Sequence, residues 1–238
     1  MPKLIETQNC LSAWKEACSY ILNKGDGFNL IVHISSPGDI NDNHLDEIFN
    51  SRITSKITIQ NVVNTIFPFK LYQRSHGQDL NYFYDLHEAL YERGKRLHRR
   101  NKSRWGNYFL RFTKFGTNKE NQIQNIIDDI NNRQNIRAAC YIMHVSSVDY
   151  DSNTRIMGNP CLQYVQFAQV GNILNLSAVY RNHDFLTKAL GNYLGLTHLL
   201  KFVCDQTNSN MGTVTCHSIH YYLKNRRDVN NCIGSLTW

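Results

Sequence analysis

The sequence predicts an α+β fold. Three observations carry the prediction. Two apolar-alternating runs, Leu162 to Val170 and Ile173 to Tyr180, flank Gly171-Asn172, a two-residue hairpin turn in which both residue types tolerate positive φ. Several other stretches have apolar residues recurring at three and four, the spacing of helices. Strands and helices do not alternate regularly as βαβ units, which argues against a parallel α/β sheet.

In chain order, residues 4–23 show helical spacing through Leu11, Trp14, Ala17, Cys18 and Ile21, with Gly25 as the stop signal. Phe28 to Ile34 reads as a strand, Ser36-Pro37-Gly38-Asp39 as a turn, and Asp42 to Arg52 as a short helix. Ile57 to Phe67 suits a helix ended by Pro68. Residues 79–98 form a longer helix whose C-terminal end is basic, where cations suit the helix dipole. Trp105 to Phe115 mixes rings with Arg111 and Lys114; it fits a loop or strand packing its rings inward, or a nucleic-acid stacking surface. Gln122 to Asn132 is a helix with four isoleucines on one side, and Arg137 to Val145 a buried strand. Phe185 to Cys204 is a long helix, apolar on most sides and therefore central, and Gly212 to Tyr222 a final strand.

At 238 residues the chain fits one domain, 1–238, with a substantial core. A hydrophobic fraction of 42% excludes a disordered chain. The net charge of +7 points toward anionic ligands such as phosphates, nucleotides or nucleic acid, and is densest over Arg93 to Arg104. No apolar run reaches the ~20 residues of a membrane span, and no secretory signal opens the chain. The seven cysteines are odd in number and form no CxxC pair, so neither a disulfide framework nor a zinc site is expected. The expectation is a reduced, cytoplasmic protein with free thiols and no metal.

Chemistry-bearing residues concentrate between Asn159 and Tyr222. Cys161 follows a proline at the start of a strand and becomes a nucleophile if a nearby cation lowers its pKa; it also fits one more buried thiol. Simple pairing about the hairpin puts residue 161 opposite 182, close to Arg181. Arg181 and Asp184 either form a local ion pair or bind a phosphate and orient a polar ligand. Asn192 lies in an apolar helix, where an unbonded carboxamide is costly; its donor and acceptor suit a lactam edge such as that of uracil. His220 and Tyr222 alternate on a strand and face one side, within reach of a sugar hydroxyl or of the core.

Together, Pro160-Cys161, Arg181-x-x-Asp184, Asn192 and His220-x-Tyr222 resemble the active-site pattern of the thymidylate synthase family, which includes the pyrimidine-nucleotide hydroxymethylases. Arg181 and Asn192 follow Cys161 by 20 and 31 residues, matching the family's intervals. The resemblance covers about residues 120–223. It implies a mixed sheet flanked by helices, a homodimer, and a pyrimidine-nucleotide substrate. Cys161 would add to C6 of the base, making C5 nucleophilic for methyl or hydroxymethyl transfer. Arg181 would hold the 5′-phosphate and lower the thiol pKa, and Asp184 would support the base. Asn192 would read the base edge; in the family, Asn goes with uracil and Asp with cytosine. His220 and Tyr222 would hold the ribose. Arg137 falls where a dimer partner lends an arginine to the phosphate; Ile136 occupies the second such position, with Arg155 as a substitute.

The sequence departs from the family pattern at Thr65, where a proton-relaying glutamate is usual, and at Leu162, where a polar residue is usual. Only 16 residues follow Tyr222, so the segment that closes over a tetrahydrofolate derivative is expected to be absent or reduced to Asp228 to Trp238. Two rivals follow: a divergent nucleotide-binding or regulatory protein without folate-dependent chemistry, and a nucleic-acid binder using Arg93 to Arg104.

Overall fold

A computed structural model describes residues 1–38, 58–75, 79–97, 105–132, 141–151, 159–224 and 226. The expected helix Asp42 to Arg52 lies outside the described residues, as do Arg137, Ile136, Arg155, most of the basic run beyond Leu97, and Asp228 to Trp238.

The chain opens with a short strand, β1 (Lys3–Thr7), where the sequence suggested helix throughout residues 4–23. The helix, α1 (Cys10–Lys24), starts only at Asn9, whose side chain accepts a hydrogen bond from the Ser12 amide. Gly25, at φ 92°, ends it in a conformation that suits a residue without Cβ. β2 (Gly27–Ile34) then pairs in parallel with β1. α2 (Ile59–Ile66), capped by Thr58, and α3 (Phe69–Arg74) flank Pro68. α4 (Leu80–Leu97) follows at its expected position. The aromatic stretch after Trp105 is neither loop nor strand: Asn107 caps a one-and-a-half-turn helix, α5 (Tyr108–Thr113), by accepting from the Leu110 amide at 2.8 Å. Its rings do point inward, since Phe109 and Phe112 are fully buried. α6 (Gln122–Asn131), β3 (Tyr141–His144) and α7 (Val148–Asp151) lead to the hairpin.

β4 (Leu162–Val170) and β5 (Ile173–Tyr180) fall where the alternation puts them. Gly171 adopts φ 58° in their turn. A bulge between Leu162 and Tyr164 shifts the register, so the Arg181 amide donates to the Cys161 carbonyl at 2.9 Å, and Arg181, not residue 182, stands opposite Cys161. After a two-residue strand, β6 (His183–Asp184), the central helix α8 (Ala189–Thr207) begins four residues later than the apolar pattern suggested. β7 (Asn210–Tyr222) closes the sheet.

Among the described residues, seven strands form one mixed sheet, ordered β1-β2-β7-β5-β4-β3, with β6 beside the end of β7. Together with the flanking helices this is the expected α+β architecture. β7 is central because its long run pairs with β2 on one side and with β5 and β6 on the other. That arrangement delivers Tyr222, Asp184 and the end of β5 to the same edge of the sheet.

α8 packs against α2 with almost no space between the backbones. A Cβ at Gly191 would lie 2.6 Å from Cβ of Val62, and one at Gly195 2.9 Å from Cβ of Ile66. The close approach brings the α2 residues Asn61, Asn64 and Thr65 over the start of α8. Below them an aromatic cluster fills the core, with Phe67 4.9 Å from Phe202 and 5.5 Å from Phe109 between ring centroids.

No helix among the described residues is long and apolar enough to cross a membrane. Cys10, Cys18, Cys161, Cys204 and Cys216 are free thiols; all but Cys161 are buried.

Candidate active site

Cys161, Asp184, Asn192 and Tyr222 come from four elements and line one cavity of about 840 Å³. Asn61, Asn64, Thr65, His87, Trp105, Tyr108, Asn182, Lys188 and Lys224 complete much of its wall. Cavities of ~300–1,000 Å³ are typical of small-molecule sites.

Cys161 sits half-buried at the mouth of β4, and burial raises its thiol pKa above the ordinary value of 9.0. Two cations oppose that rise, Arg181 and Lys188. Arg181 does so from outside the cavity wall. Its Nε donates to the Pro160 carbonyl at 3.0 Å and its Nη2 to the Asn159 carbonyl at 3.1 Å. Arg181 thus clamps the backbone that presents Cys161.

Lys188 was not singled out by the sequence. It stands at the N-cap of α8 without a side-chain capping bond. A cation at a helix N-terminus faces the positive end of the dipole, an unfavourable position that is itself a signal in the sequence. Burial lowers its pKa, Asp184 and Cys161 raise it, and Lys224 lowers it. Lys188 and Lys224 make the anion-attracting side of the cavity. Replacing Lys188 with Met is expected to slow alkylation of Cys161 by iodoacetamide at pH 7, because the thiolate loses one of the two cations that favour it. A rate unchanged by Lys188→Met would remove Lys188 from the activation of the thiol.

Asp184, the one carboxylate among the described residues of the cavity wall, is almost fully buried. Its Oδ1 accepts from the Leu186 amide at 3.0 Å and its Oδ2 from the Thr187 hydroxyl at 2.6 Å. These bonds fix the direction of the carboxylate. Asn192 is 3% exposed; its Nδ2 lies 3.0 Å from His183 Nε2, and its Oδ1 is buried without a hydrogen-bond partner. A buried unpaired carbonyl oxygen costs about 1–3 kcal/mol.

The His220-x-Tyr222 pair does share one side of β7, with the rings stacked at 5.8 Å. Only Tyr222 reaches the cavity wall. His220 packs on Phe28, and its Nδ1 contacts the Asn182 side-chain oxygen at 2.6 Å, which positions Asn182 in the wall. Thr65 lies in the wall as its place in the sequence suggested, but its hydroxyl donates to the Val62 carbonyl at 2.6 Å, within its own helix.

Sequence reasoning also missed Tyr108, which lies in the stretch that fits either inward-packing rings or a nucleic-acid stacking surface. Its hydroxyl hydrogen-bonds with the backbone of Cys161 and Leu162, and burial raises its pKa. Asn107, a capping residue before an apolar turn, was the available signal for the helix that carries it.

No family model matches this sequence. The chain is 30% identical over 115 residues to a Methanocaldococcus jannaschii protein described as "Putative thymidylate synthase", a match covering 48% of this chain and 52% of that protein. A Methanococcoides burtonii protein of the same description is 28% identical over 105 residues, 44% of this chain and 46% of that protein. A Methanosarcina barkeri protein of that description matches at 28% over 105 residues. The chain is distantly similar to proteins named as thymidylate synthases. It spans about half the length of the curated relatives it matches.

Proposed function

We propose that this protein binds a pyrimidine nucleotide, a uridylate, and that Cys161 adds to C6 of the base to prepare C5 for methyl or hydroxymethyl transfer. The observation that carries the proposal is the convergence of Cys161, Asp184, Asn192 and Tyr222 on one cavity. In this reading the Asn192 carboxamide, on a residue of the cavity wall, pairs with N3–H and O4 of the uracil. Lys188 and Lys224 suit the phosphate, and Tyr222 the sugar. Arg137 of a homodimer partner belongs to the same proposal.

In the step itself the Cys161 thiolate forms a bond to C6. The C5=C6 electron pair becomes the C4=C5 bond as the C4=O4 pair moves onto O4, giving an enolate whose nucleophilic carbon is C5. Lys188 favours the thiolate, Asp184 orients the base, and Arg181 holds the loop that aims Cys161. Leu90, Tyr91 and Trp105 in the cavity wall supply apolar side chains against which a pterin ring would pack. A tetrahydrofolate derivative bound there would supply the one-carbon unit.

Thr65, tied to its own helix, favours a second reading: nucleotide binding without transfer chemistry. Solvent exchange distinguishes the two. Reversible addition of Cys161 makes C5 take a deuteron from heavy water and release its original proton. Proton NMR is expected to show the H5 signal of deoxyuridylate disappear with the protein and persist with Cys161→Ser. Binding with H5 retained would leave only the second reading.

A further inference from the structure

His87 stands in the cavity wall outside the set of Cys161, Asp184, Asn192 and Tyr222. Leu90 and Tyr91 follow it on α4 by three and four residues, which puts the three side chains on one face of the helix, and all three line the cavity. The imidazole packs edge-on against Phe109 at 4.7 Å and 82°. Phe109 follows Tyr108, whose hydroxyl bonds to the backbone of Cys161. His87 thus packs on the helix that also supports the nucleophile.

The residue is 7% exposed. Among the described residues neither ring nitrogen has a hydrogen-bond partner, and of the two only Nδ1 is sealed from solvent. Nε2 is therefore the polar atom that the ring offers to a ligand. A neutral imidazole carries one N–H and one bare nitrogen. Buried N–H groups without an acceptor are rare, so the hydrogen belongs on Nε2 and the sealed Nδ1 is the bare nitrogen. Burial keeps the ring neutral, pushing its pKa down to about 4 against the opposing charge of Glu88.

A neutral N–H in a pocket wall suits an oxygen that becomes negative during a reaction. It stabilises the new charge without carrying a charge that must itself be desolvated. Addition of Cys161 to a pyrimidine creates such an oxygen at O4. Two other wall residues are committed elsewhere. Thr65 donates to the Val62 carbonyl, and His183 has both ring nitrogens engaged, with Asn192 and Ser218.

We infer that His87 donates a hydrogen bond from Nε2 to O4 of the pyrimidine and stabilises the enolate that Cys161 addition forms. The inference rests on the cavity being a pyrimidine-nucleotide site. O4 has two lone pairs, so Asn192 and His87 can both donate to it. No proton changes hands at His87. As the bond from sulfur to C6 forms, the C5=C6 pair becomes C4=C5 and the C4=O4 pair moves onto O4, where the Nε2–H meets it. On return the O4 pair re-forms C4=O4, the C4=C5 pair goes back to C5=C6, and Cys161 leaves as the thiolate.

Deuterium exchange at H5 reads this step, and calorimetry reads binding. His87→Leu, which lacks the donor, is expected to slow H5 exchange of deoxyuridylate about 100-fold, as loss of one oxyanion donor does. Its dissociation constant for the nucleotide is expected to change less than about tenfold, since a ground-state hydrogen bond is worth far less. His87→Gln, whose amide places an N–H near the position of Nε2, is expected to recover about tenfold of the lost rate. Nitrogen-15 NMR of histidine-labelled wild-type protein is expected to find the His87 hydrogen on Nε2. Exchange by His87→Leu within about tenfold of wild type would overturn the inference, as would a His87 hydrogen on Nδ1. His87→Gln as slow as His87→Leu would also overturn it, since a donated hydrogen bond would then not be what the step requires. Wild-type protein that binds deoxyuridylate and leaves H5 in place would overturn the Cys161 reading, and the inference with it.

Discussion

Acidification is expected to unfold this protein before pH 4. Two histidines are buried and held neutral: His183, with its pKa pushed down to about 3, and His87, pushed down to about 4. Burial is the first cause for both. In the unfolded chain each titrates near 6.5. Above that pH neither state takes up the proton and stability is intact. Below it the unfolded chain binds protons that the folded one refuses, so stability falls with pH, by about 1.4 kcal/mol per pH unit for each histidine. The loss from both runs down to about pH 4, and His183 continues it toward pH 3. Two and a half units of a double slope amount to several kcal/mol, comparable with the ~5–15 kcal/mol stability of a typical domain. Thermal melts from pH 7 to pH 4 should show a melting temperature that falls steadily below pH 6.5. His87→Leu, which removes a ring whose Nδ1 has no partner, should flatten the upper part of that fall. A melting temperature flat between pH 6.5 and pH 4.5 would show that these rings are protonated in the folded protein.

The second large effect is expected at Arg111. Its Nη2 donates to Asp151 Oδ1 at 2.9 Å and its Nη1 to Oδ2 at 3.2 Å, with side chains only 11% and 9% exposed. The same guanidinium donates to the Trp105 carbonyl at 2.8 Å and to the Val145 carbonyl at 3.2 Å. Asp151 in turn accepts from the Ser147 amide, and its own carbonyl accepts from the Asn159 side chain. One buried pair therefore ties the cavity's Trp105 wall to the strand end before Cys161. Arg111→Leu strands a buried carboxylate and is expected to cost about 3–5 kcal/mol. The midpoint of urea unfolding would measure it. The double variant Arg111→Leu/Asp151→Leu should recover part of the loss, because it removes the unpaired charge. A single variant within about 1 kcal/mol of wild type would mean the pair is solvated, as exposed pairs are.

Neither network was legible in the sequence, and the reason is physical. Arg111 and Asp151 are 40 residues apart, and no local pattern records which polar residues meet across a core. His183, Ser218 and Asn192 are likewise assembled from β6, β7 and α8. The hairpin was legible to the residue because two-residue periodicity and a Gly-Asn turn are local properties. Its bulge was not, and one residue of slippage moved Arg181 opposite Cys161. The strand β1 was read as helix because its five residues precede a true helix whose pattern extends smoothly backwards; the cap at Asn9 was the overlooked stop. The start of α8 was misplaced for a similar reason, since Phe185 and Leu186 are as buried as the helix that follows.

At the site, sequence spacing found Cys161, Asp184, Asn192 and Tyr222, and the fold puts them on one cavity. Arg181 and His220 sit one layer behind, holding the Cys161 loop and Asn182. Among the residues that reach the cavity unannounced are Lys188 and Tyr108, both adjacent to helix starts that the apolar pattern blurred.

The central claim is that Cys161 attacks C6 of a bound uridylate. Mass spectrometry of the intact protein incubated with 5-fluoro-2′-deoxyuridine 5′-monophosphate tests it most directly, because the electron-withdrawing fluorine at C5 makes C6 more electrophilic and favours the adduct. The account predicts a mass increase equal to one nucleotide, located on the peptide containing Cys161 and absent from Cys161→Ser. An unmodified mass under conditions where calorimetry shows the nucleotide bound would contradict it.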